Sequence, residues 1–143
     1  MKRTLMTLAL AASFVVPAAA LACDGMGHGQ ASREPKKLTV TELANLTKEK
    51  KATPVDANGE KTRAEKGIIP GAVLLTSSSQ YALTELPKDK SSTLVFYCAN
   101  EKCSASTQAA RRAMENGYTD VAVLPVGING WLAAGQKTAK PNS

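Results

Sequence analysis

The sequence predicts an α/β domain built on an open parallel sheet. Four short and mostly apolar runs are typical of strands that are buried on both faces of such a sheet. They are TPVDA at 53–57, GAVLL at 71–75, TLVFY at 93–97 and DVAVL at 120–124. Helix-compatible stretches separate or follow these runs, and strands that alternate with helices over about 100 residues predict an open sheet flanked by helices.

The first predicted helix has the clearest boundary. Thr39 and Glu42 have the spacing of a capping box, and Leu38 and Leu43 are placed for a hydrophobic staple. We expect this helix to run to about Lys50. Three further helix-compatible stretches cover residues 80–86, 104–116 and 128–134.

The N-terminal 22 residues differ from the rest of the chain. Lys2 and Arg3 precede an apolar run from 5 to 16, Pro17 breaks the run, and small residues end at Ala22. This layout is typical of a bacterial secretory signal peptide and is too short to span a membrane. We therefore expect residues 1–22 to be removed and the protein to be exported, either to the periplasm or to a lipid anchor at the cell envelope.

Cleavage at that point would make Cys23 the N-terminal residue. A lipoprotein signal usually carries a Leu-like residue and then a small one before the cysteine, whereas Ala20 and Leu21 stand in the reverse order. We expect contact with a membrane only if Cys23 is acylated. Cys23, Met26 and His28 could also bind a soft metal, but the glycines around them favour a flexible tail, and we predict no metal site.

The rest of the chain has the length of one domain. Residues 23–37 lack apolar periodicity and are predicted to be a flexible linker, residues 38–136 form the domain, and residues 137–143 form a C-terminal tail. Loss of Lys2 and Arg3 from the 18 Lys and Arg leaves a small excess over the 12 Asp and Glu, and aromatic residues make up 4%. We expect a monomer with a solvated basic surface and no nucleic-acid partner.

Two of the three cysteines lie on either side of one short loop. Cys98 directly follows TLVFY, and Cys103 precedes Ser104, the predicted N-cap of the next helix. Ligands of open α/β sheets bind beyond the carboxyl ends of the strands. Loop N–H groups can converge on an anion there and would stabilise a cysteine thiolate, which is the nucleophilic form. A structural staple and a redox pair are alternatives, whereas zinc is disfavoured because the domain has no second Cys or His pair.

Six segments in the same order resemble the rhodanese-like domain family, from about residue 38 to 136. They are LTVTELANL, PVDAN, GIIPGAVLL, VFYC, ENGYTDVAVL and VGINGWLAAGQ. The resemblance implies a rhodanese-like fold and a sulfurtransferase whose catalytic residue is Cys98. A donor such as thiosulfate would give Cys98 a persulfide sulfur, and a thiophilic acceptor such as cyanide or a thiol would remove it. No cofactor is implied.

The resemblance also implies a set of residues around the bound sulfur. The backbone of the loop from Ala99 to Cys103 would cradle the persulfide, and Ser104 begins the helix that follows it. Asp56 could hold the loop by accepting hydrogen bonds from its amides, although a plain strand-end turn explains Asp56 equally well. The predicted substrate-binding residues are therefore Ala99, Asn100, Glu101, Lys102, Ser104 and Asp56.

Three positions depart from the family pattern. The last loop residue, often Arg in active thiosulfate enzymes, is Cys103, and the usual His before Ile-Pro-Gly is Ile68. The Arg that commonly follows the strand Asp by two residues is Asn58, with Arg63 nearby. Lys102 either replaces part of the positive charge that the loop Arg would supply or points to solvent. Phosphatases of this fold use a loop one residue longer that ends in Arg, so we do not expect phosphatase activity.

Cys103 keeps three functional hypotheses open. As an inert small residue, it leaves a sulfurtransferase that uses Cys98 alone. As a resolving thiol, it would attack an oxidised or persulfidated Cys98, and the protein would be a thiol-disulfide or sulfur-relay protein with a redox partner. The third hypothesis is a non-catalytic domain that binds a partner or an anion.

Overall fold

The computed structural model describes residues 34–141, which form an open five-stranded sheet with helices on both faces. All strand pairs are parallel, in the order β1-β5-β4-β2-β3. The strands are β1 (Lys36–Lys37), β2 (Thr53–Asp56), β3 (Val73–Leu74), β4 (Leu94–Tyr97) and β5 (Val121–Leu124). The helices are α1 (Val40–Lys48), α2 (Glu60–Lys66), α3 (Ala105–Glu115) and α4 (Gly127–Ala133). The predicted signal peptide and the predicted roles of Cys23, Met26 and His28 lie outside the described residues.

The two central strands explain why the sheet forms. Every residue of β4 (LVFY) and β5 (VAVL) is buried, as a strand covered on both faces requires. Helix α3 covers one face of the sheet and packs on Phe96, whereas α1 and α4 cover the other face and pack on Tyr97. The parallel α/β architecture predicted from the four apolar runs is confirmed.

The predicted start of α1 is also confirmed. The Thr39 hydroxyl accepts a hydrogen bond from the Glu42 N–H at 3.3 Å, and the Glu42 carboxylate accepts one from the Thr39 N–H at 2.7 Å. Leu38 packs against the cluster that contains Leu43, as a hydrophobic staple requires. These contacts lower the pKa of Glu42, because its carboxylate accepts the Thr39 hydrogen bonds.

One predicted helix is wrong. Residues 80–86 contain only a single 3-10 turn at Leu83–Glu85. Leu86 has the extended conformation (φ −86°, ψ 158°) that a following proline favours, and Pro87 therefore stops the helix from growing. Glu85 instead accepts hydrogen bonds from the Thr76 N–H and hydroxyl and from the Ala82 N–H.

Sheet pairing extends a few residues beyond both predicted ends of the domain. Lys36 and Lys37, assigned to the linker, form β1 and pair with Ala122 and Val123 at the edge of the sheet. At the other end Ala139, assigned to the tail, forms an antiparallel bridge with Ile68. A strand of two lysines has no apolar periodicity, so the pairing partner rather than the local sequence orders it.

Candidate active site

Strand β4 delivers Cys98 to the carboxyl edge of the sheet. Asp56 and Leu124, at the ends of the flanking strands β2 and β5, are both in register with Tyr97, so Cys98 begins the loop directly above the middle of the sheet. Its backbone carbonyl accepts a hydrogen bond from the Ile128 N–H at 2.8 Å. The site therefore lies where ligands of open α/β sheets bind.

Gly127 permits this close approach between the loop and α4. Its φ of +57° belongs to the left-handed region, and a Cβ atom there would lie 2.3 Å from the Cys98 carbonyl oxygen. The next hydrogen bond in the same contact runs from the Asn129 N–H to the Ala99 carbonyl at 3.0 Å. Only a residue without a side chain fits, so Gly127 sets the position of the first two loop residues.

The loop itself is a tight turn. The Cys103 N–H donates to the Asn100 carbonyl at 3.1 Å, and the Lys102 N–H donates to the Asn100 side-chain oxygen at 3.0 Å. Asn100, Glu101 and Lys102 are exposed. Two N–H groups of the predicted cradle, those of Lys102 and Cys103, thus donate inside the turn.

The Cys98 sulfur is buried among acceptors. Cys98 is 1% exposed, and its thiol donates a hydrogen bond to the Cys103 carbonyl at 3.1 Å. A longer contact of 3.8 Å reaches the Asn100 carbonyl, and the Ser106 hydroxyl lies 3.4 Å from the sulfur. Neither cysteine is in a disulfide. These contacts suit a protonated Cys98 thiol.

The pKa values of the two thiols shift in opposite directions. Burial raises the pKa of Cys98, and the hydrogen bond to Cys103 raises it further, although the hydroxyl and N–H of Ser106 act against this. Burial also acts to raise the pKa of Cys103, but hydrogen bonds from the Cys98 thiol and from the N–H groups of Ala99 and Ala105 outweigh it and lower that pKa. The pair therefore loses its first proton as a unit, with the charge favoured on Cys103.

Ser106 was missed at the level of sequence. It is 4% exposed and belongs to the buried side of α3 with Ala109, Ala110 and Ala113. The sequence does show that Ser106 lies three residues before Ala109, on the same face of the predicted helix. A hydroxyl on a helix face that packs on a sheet needs a hydrogen-bond partner, which would have indicated a polar contact there. Ser104, by contrast, occupies the N-cap with helical φ and ψ, and its side chain makes no capping hydrogen bond.

Asp56 and Arg63 form a separate buried pair. The Asp56 carboxylate accepts hydrogen bonds from the Asn58 N–H at 2.7 Å and from Arg63 Nε at 3.4 Å. Arg63 also donates to the carbonyls of Asp56 and Leu75, each at 2.9 Å. No hydrogen bond from a loop amide to Asp56 occurs in the described chain, and the contacts of Asp56 are those of a strand-end turn. The guanidinium of Arg63 makes its hydrogen bonds within this turn, so Arg63 does not replace the Arg that is usual at the end of the active-site loop.

Residues 34–141 hold neither a cluster of metal ligands nor a helix that could span a membrane. Within that range, no three His, Cys, Asp or Glu side chains cluster as metal ligands would. The helices in the same range are all too short or too polar to cross a membrane.

The fold and the loop define a class of protein: a parallel α/β domain with a cysteine at the carboxyl end of its central strand. The family model for the rhodanese-like domain matches residues 39–134. The chain belongs to the rhodanese-like domain family, as its sequence segments predict.

Several solved structures are similar to this chain. A Rhodopseudomonas palustris protein described as a possible tyrosine phosphatase is 26% identical, with a TM-score of 0.62 over 73% of this chain and 85% of its own. A rhodanese-like domain protein from Staphylococcus aureus is 25% identical, with a TM-score of 0.58 over 73% of this chain and 98% of its own. A thiosulfate sulfurtransferase from Pseudomonas aeruginosa is 22% identical, with a TM-score of 0.58 over 78% of this chain but only 21% of its own, and shows the fold alone. A comparison with curated proteins found no match.

Proposed function

We propose that this protein is an exported sulfurtransferase that carries sulfane sulfur as a persulfide on Cys98. The observation that carries the proposal is the position of Cys98, which a rhodanese-like sheet holds at its carboxyl edge, hydrogen-bonded to the backbone carbonyl of Cys103. The donor would be thiosulfate or a related sulfane-sulfur compound, and the acceptor a thiophile such as cyanide or a thiol. Membership of the family and the fold shared with a thiosulfate sulfurtransferase support this choice.

The first half-reaction needs a Cys98 thiolate, although burial favours the thiol. Cys103 is the base that we assign to this step, because its lowered pKa leaves its thiol more readily ionised than that of Cys98. Transfer of the Cys98 proton to it is uphill, and attack on the donor draws it forward. The Cys103 thiolate takes the Cys98 proton as the donor arrives. Cys98 then attacks the outer sulfur of thiosulfate, the S–S bond breaks, and sulfite leaves with its electron pair.

The second half-reaction reverses the proton movement. An acceptor nucleophile attacks the outer sulfur of the Cys98 persulfide, and Cys98 leaves as a thiolate. The hydroxyl of Ser106, 3.4 Å from the sulfur, can donate to that thiolate. The proton held on Cys103 then returns to Cys98 and restores the resting pair.

The loop binds an anionic donor weakly in this proposal. Among residues 98–103, Lys102 carries the positive charge and Glu101 beside it carries a negative one, and both are exposed. A single exposed ammonium group is a poor replacement for a bidentate Arg. We expect a high KM for thiosulfate and a lower KM for neutral sulfane-sulfur donors. The same lack of Arg argues against phosphatase activity, despite the description of the Rhodopseudomonas palustris relative.

The proposed location rests on the N-terminal sequence. Residues 1–22 have the layout of a secretory signal, and Cys23 would follow the cleavage point. We propose a periplasmic protein that is bound to a membrane only if Cys23 is acylated. Mass spectrometry of the N-terminal peptide from cell-envelope and periplasmic fractions tests this, and a chain that retains Met1 in the cytoplasm would contradict it.

Steady-state sulfur transfer from thiosulfate to cyanide tests the activity. Cys98→Ser should abolish thiocyanate formation, and Thr107→Ala should leave it unchanged, because Thr107 lies next to Ser106 on α3 but makes none of the contacts described for the sulfur. Thiocyanate formation that persists in Cys98→Ser would overturn the proposal.

A further inference from the structure

We propose that Cys103 is an internal acceptor for the sulfur on Cys98. It would attack the inner sulfur of the Cys98 persulfide, form a Cys98–Cys103 disulfide and release the outer sulfur as hydrosulfide. This inference rests on the proposed function, since it begins from the Cys98 persulfide. The protein would then reduce sulfane sulfur and release it as sulfide, in addition to carrying it.

Access to the site favours an internal acceptor. Cys98 is 1% exposed, whereas Cys103 is partly exposed. Once a donor has reached Cys98, an acceptor from solvent would be the second molecule that has to reach a sulfur covered by the loop and α3. Cys103 is already in place, because the Cys98 thiol donates a hydrogen bond to its backbone carbonyl at 3.1 Å.

The surrounding backbone holds the two thiols together. The Cys98 end of the loop is fixed by the hydrogen bond from Ile128, and the Cys103 end by its own hydrogen bond to Asn100. Bond formation requires the two sulfurs to approach to about 2.05 Å. The exposed residues between them, 100–102, can absorb that movement because they pack on nothing in the core.

The chemistry balances without an outside oxidant. After the first half-reaction Cys98 carries a persulfide anion, and Cys103 holds the proton that it took from Cys98. Cys103 sulfur forms a bond to the Cys98 sulfur while the bond between the two persulfide sulfurs breaks. The proton and the electron pair of the broken bond leave together as hydrosulfide. The sulfane sulfur is reduced, and the two cysteine thiols are oxidised to the disulfide.

Cys103 is suited to this attack by its surroundings. The N–H groups of Ala99 and Ala105 donate to its sulfur, so it carries negative charge more readily than an ordinary thiol. After sulfide leaves, the domain contains a disulfide and accepts no further sulfur. An external dithiol must reduce that disulfide by thiol-disulfide exchange before the next cycle, which assigns the protein a redox partner of the dithiol class.

The test is a single turnover of the reduced full chain with thiosulfate, without oxygen, cyanide or added thiol. Sulfite, sulfide and intact mass are measured for the wild type, Cys103→Ser, Cys98→Ser and the Thr107→Ala control. We expect the wild type and Thr107→Ala to release stoichiometric sulfite and sulfide and to lose two hydrogens. Cys103→Ser should release sulfite when thiosulfate is added at a pH high enough to ionise Cys98, retain one sulfur atom and release no sulfide.

Two results would overturn the inference, and they differ. If the wild type releases sulfite but keeps the sulfur and yields no sulfide, the internal step is wrong and the persulfide carrier stands. If neither the wild type nor Cys103→Ser releases sulfite at any pH, the proposed function is wrong as well. Addition of a dithiol to the spent wild type should restore a second turnover, and a failure to do so would also contradict the proposed disulfide.

Discussion

The thiol of Cys98 donates a hydrogen bond to the backbone carbonyl of Cys103 across 3.1 Å. This contact ties the two ends of the loop together and places both thiols at the carboxyl edge of the sheet. The buried thiol is the donor, and the partly exposed one is the better thiolate. The two cysteines should therefore be studied as one unit rather than as a nucleophile and a bystander.

Removing Cys98 should raise the pKa of Cys103. The Cys98 thiol donates a hydrogen bond to the Cys103 sulfur, and that bond is the largest of the effects that lower the Cys103 pKa. In the Cys98→Ala variant the thiolate absorbance at 240 nm should therefore appear at higher pH than the first thiolate of the wild type. In Cys103→Ala, Cys98 should still titrate at high pH, because its burial remains. A wild-type first midpoint that Cys98→Ala does not move would contradict this description of the pair.

Replacing Ser106 should make Cys98 less reactive at neutral pH. The Ser106 hydroxyl lies 3.4 Å from the Cys98 sulfur and lowers its pKa. In a Cys103→Ser background, Ser106→Ala should slow alkylation of Cys98 by iodoacetamide several-fold at pH 7, and the difference should vanish well above the Cys98 pKa. The matched control is Thr107→Ala. A rate ratio that stays constant with pH would mean that Ser106 acts through packing alone.

A methyl group at Gly127 should damage both stability and the site. Gly127 and Gly135 both have positive φ, +57° and +73°, but only at Gly127 would a Cβ atom meet the Cys98 carbonyl, at 2.3 Å. Gly135→Ala should cost about 1–2 kcal/mol from backbone strain. Gly127→Ala should cost a further ~1–3 kcal/mol from overpacking and should lower sulfur transfer. Urea unfolding of the two variants measures the difference, and equal losses would contradict the close contact.

Breaking the buried ion pair should destabilise the domain without touching the thiols. Arg63 is 8% exposed and donates to the Asp56 carboxylate and to two backbone carbonyls. Arg63→Ala leaves the Asp56 carboxylate buried without its partner and should cost about 3–5 kcal/mol in denaturant unfolding. Lys61→Ala, on the exposed side of α2, should change stability by less than ~0.5 kcal/mol. A small effect of Arg63→Ala would show that water replaces the pair.

The sheet was predictable because its central strands are continuous apolar runs, and α1 because its capping box is written in the residues. Helix α2 was missed because EKTRAEK has no apolar stripe, and its one buried side chain is Arg63. Strand β1 is two lysines that only their partner orders. The residues of α2 and β1 do not by themselves indicate the more distant residues with which they pair.

The candidate site was predictable to the level of Cys98 and its loop. Because Cys98 directly follows a predicted central strand and precedes a predicted helix, its position at the carboxyl edge of the sheet does not depend on the conformation of the loop. The spacing of the two cysteines does not say which sulfur the backbone N–H groups face, because that depends on the turn at Asn100 and on the docking of the loop at Gly127. The contact of Ser106 with Cys98 likewise depends on how α3 lies on the sheet.

The most direct test of the central claim is to locate the transferred sulfur. The Cys103→Ser variant is treated with thiosulfate at a pH high enough to ionise Cys98, blocked with a reagent that alkylates persulfides, digested and sequenced by tandem mass spectrometry. A mass gain of one sulfur on the peptide that contains Cys98, absent when Cys98 is replaced by Ser in the same background, is the predicted result. Sulfite formation with no sulfur on Cys98, or a peptide that gains no sulfur at all, would contradict a Cys98 persulfide.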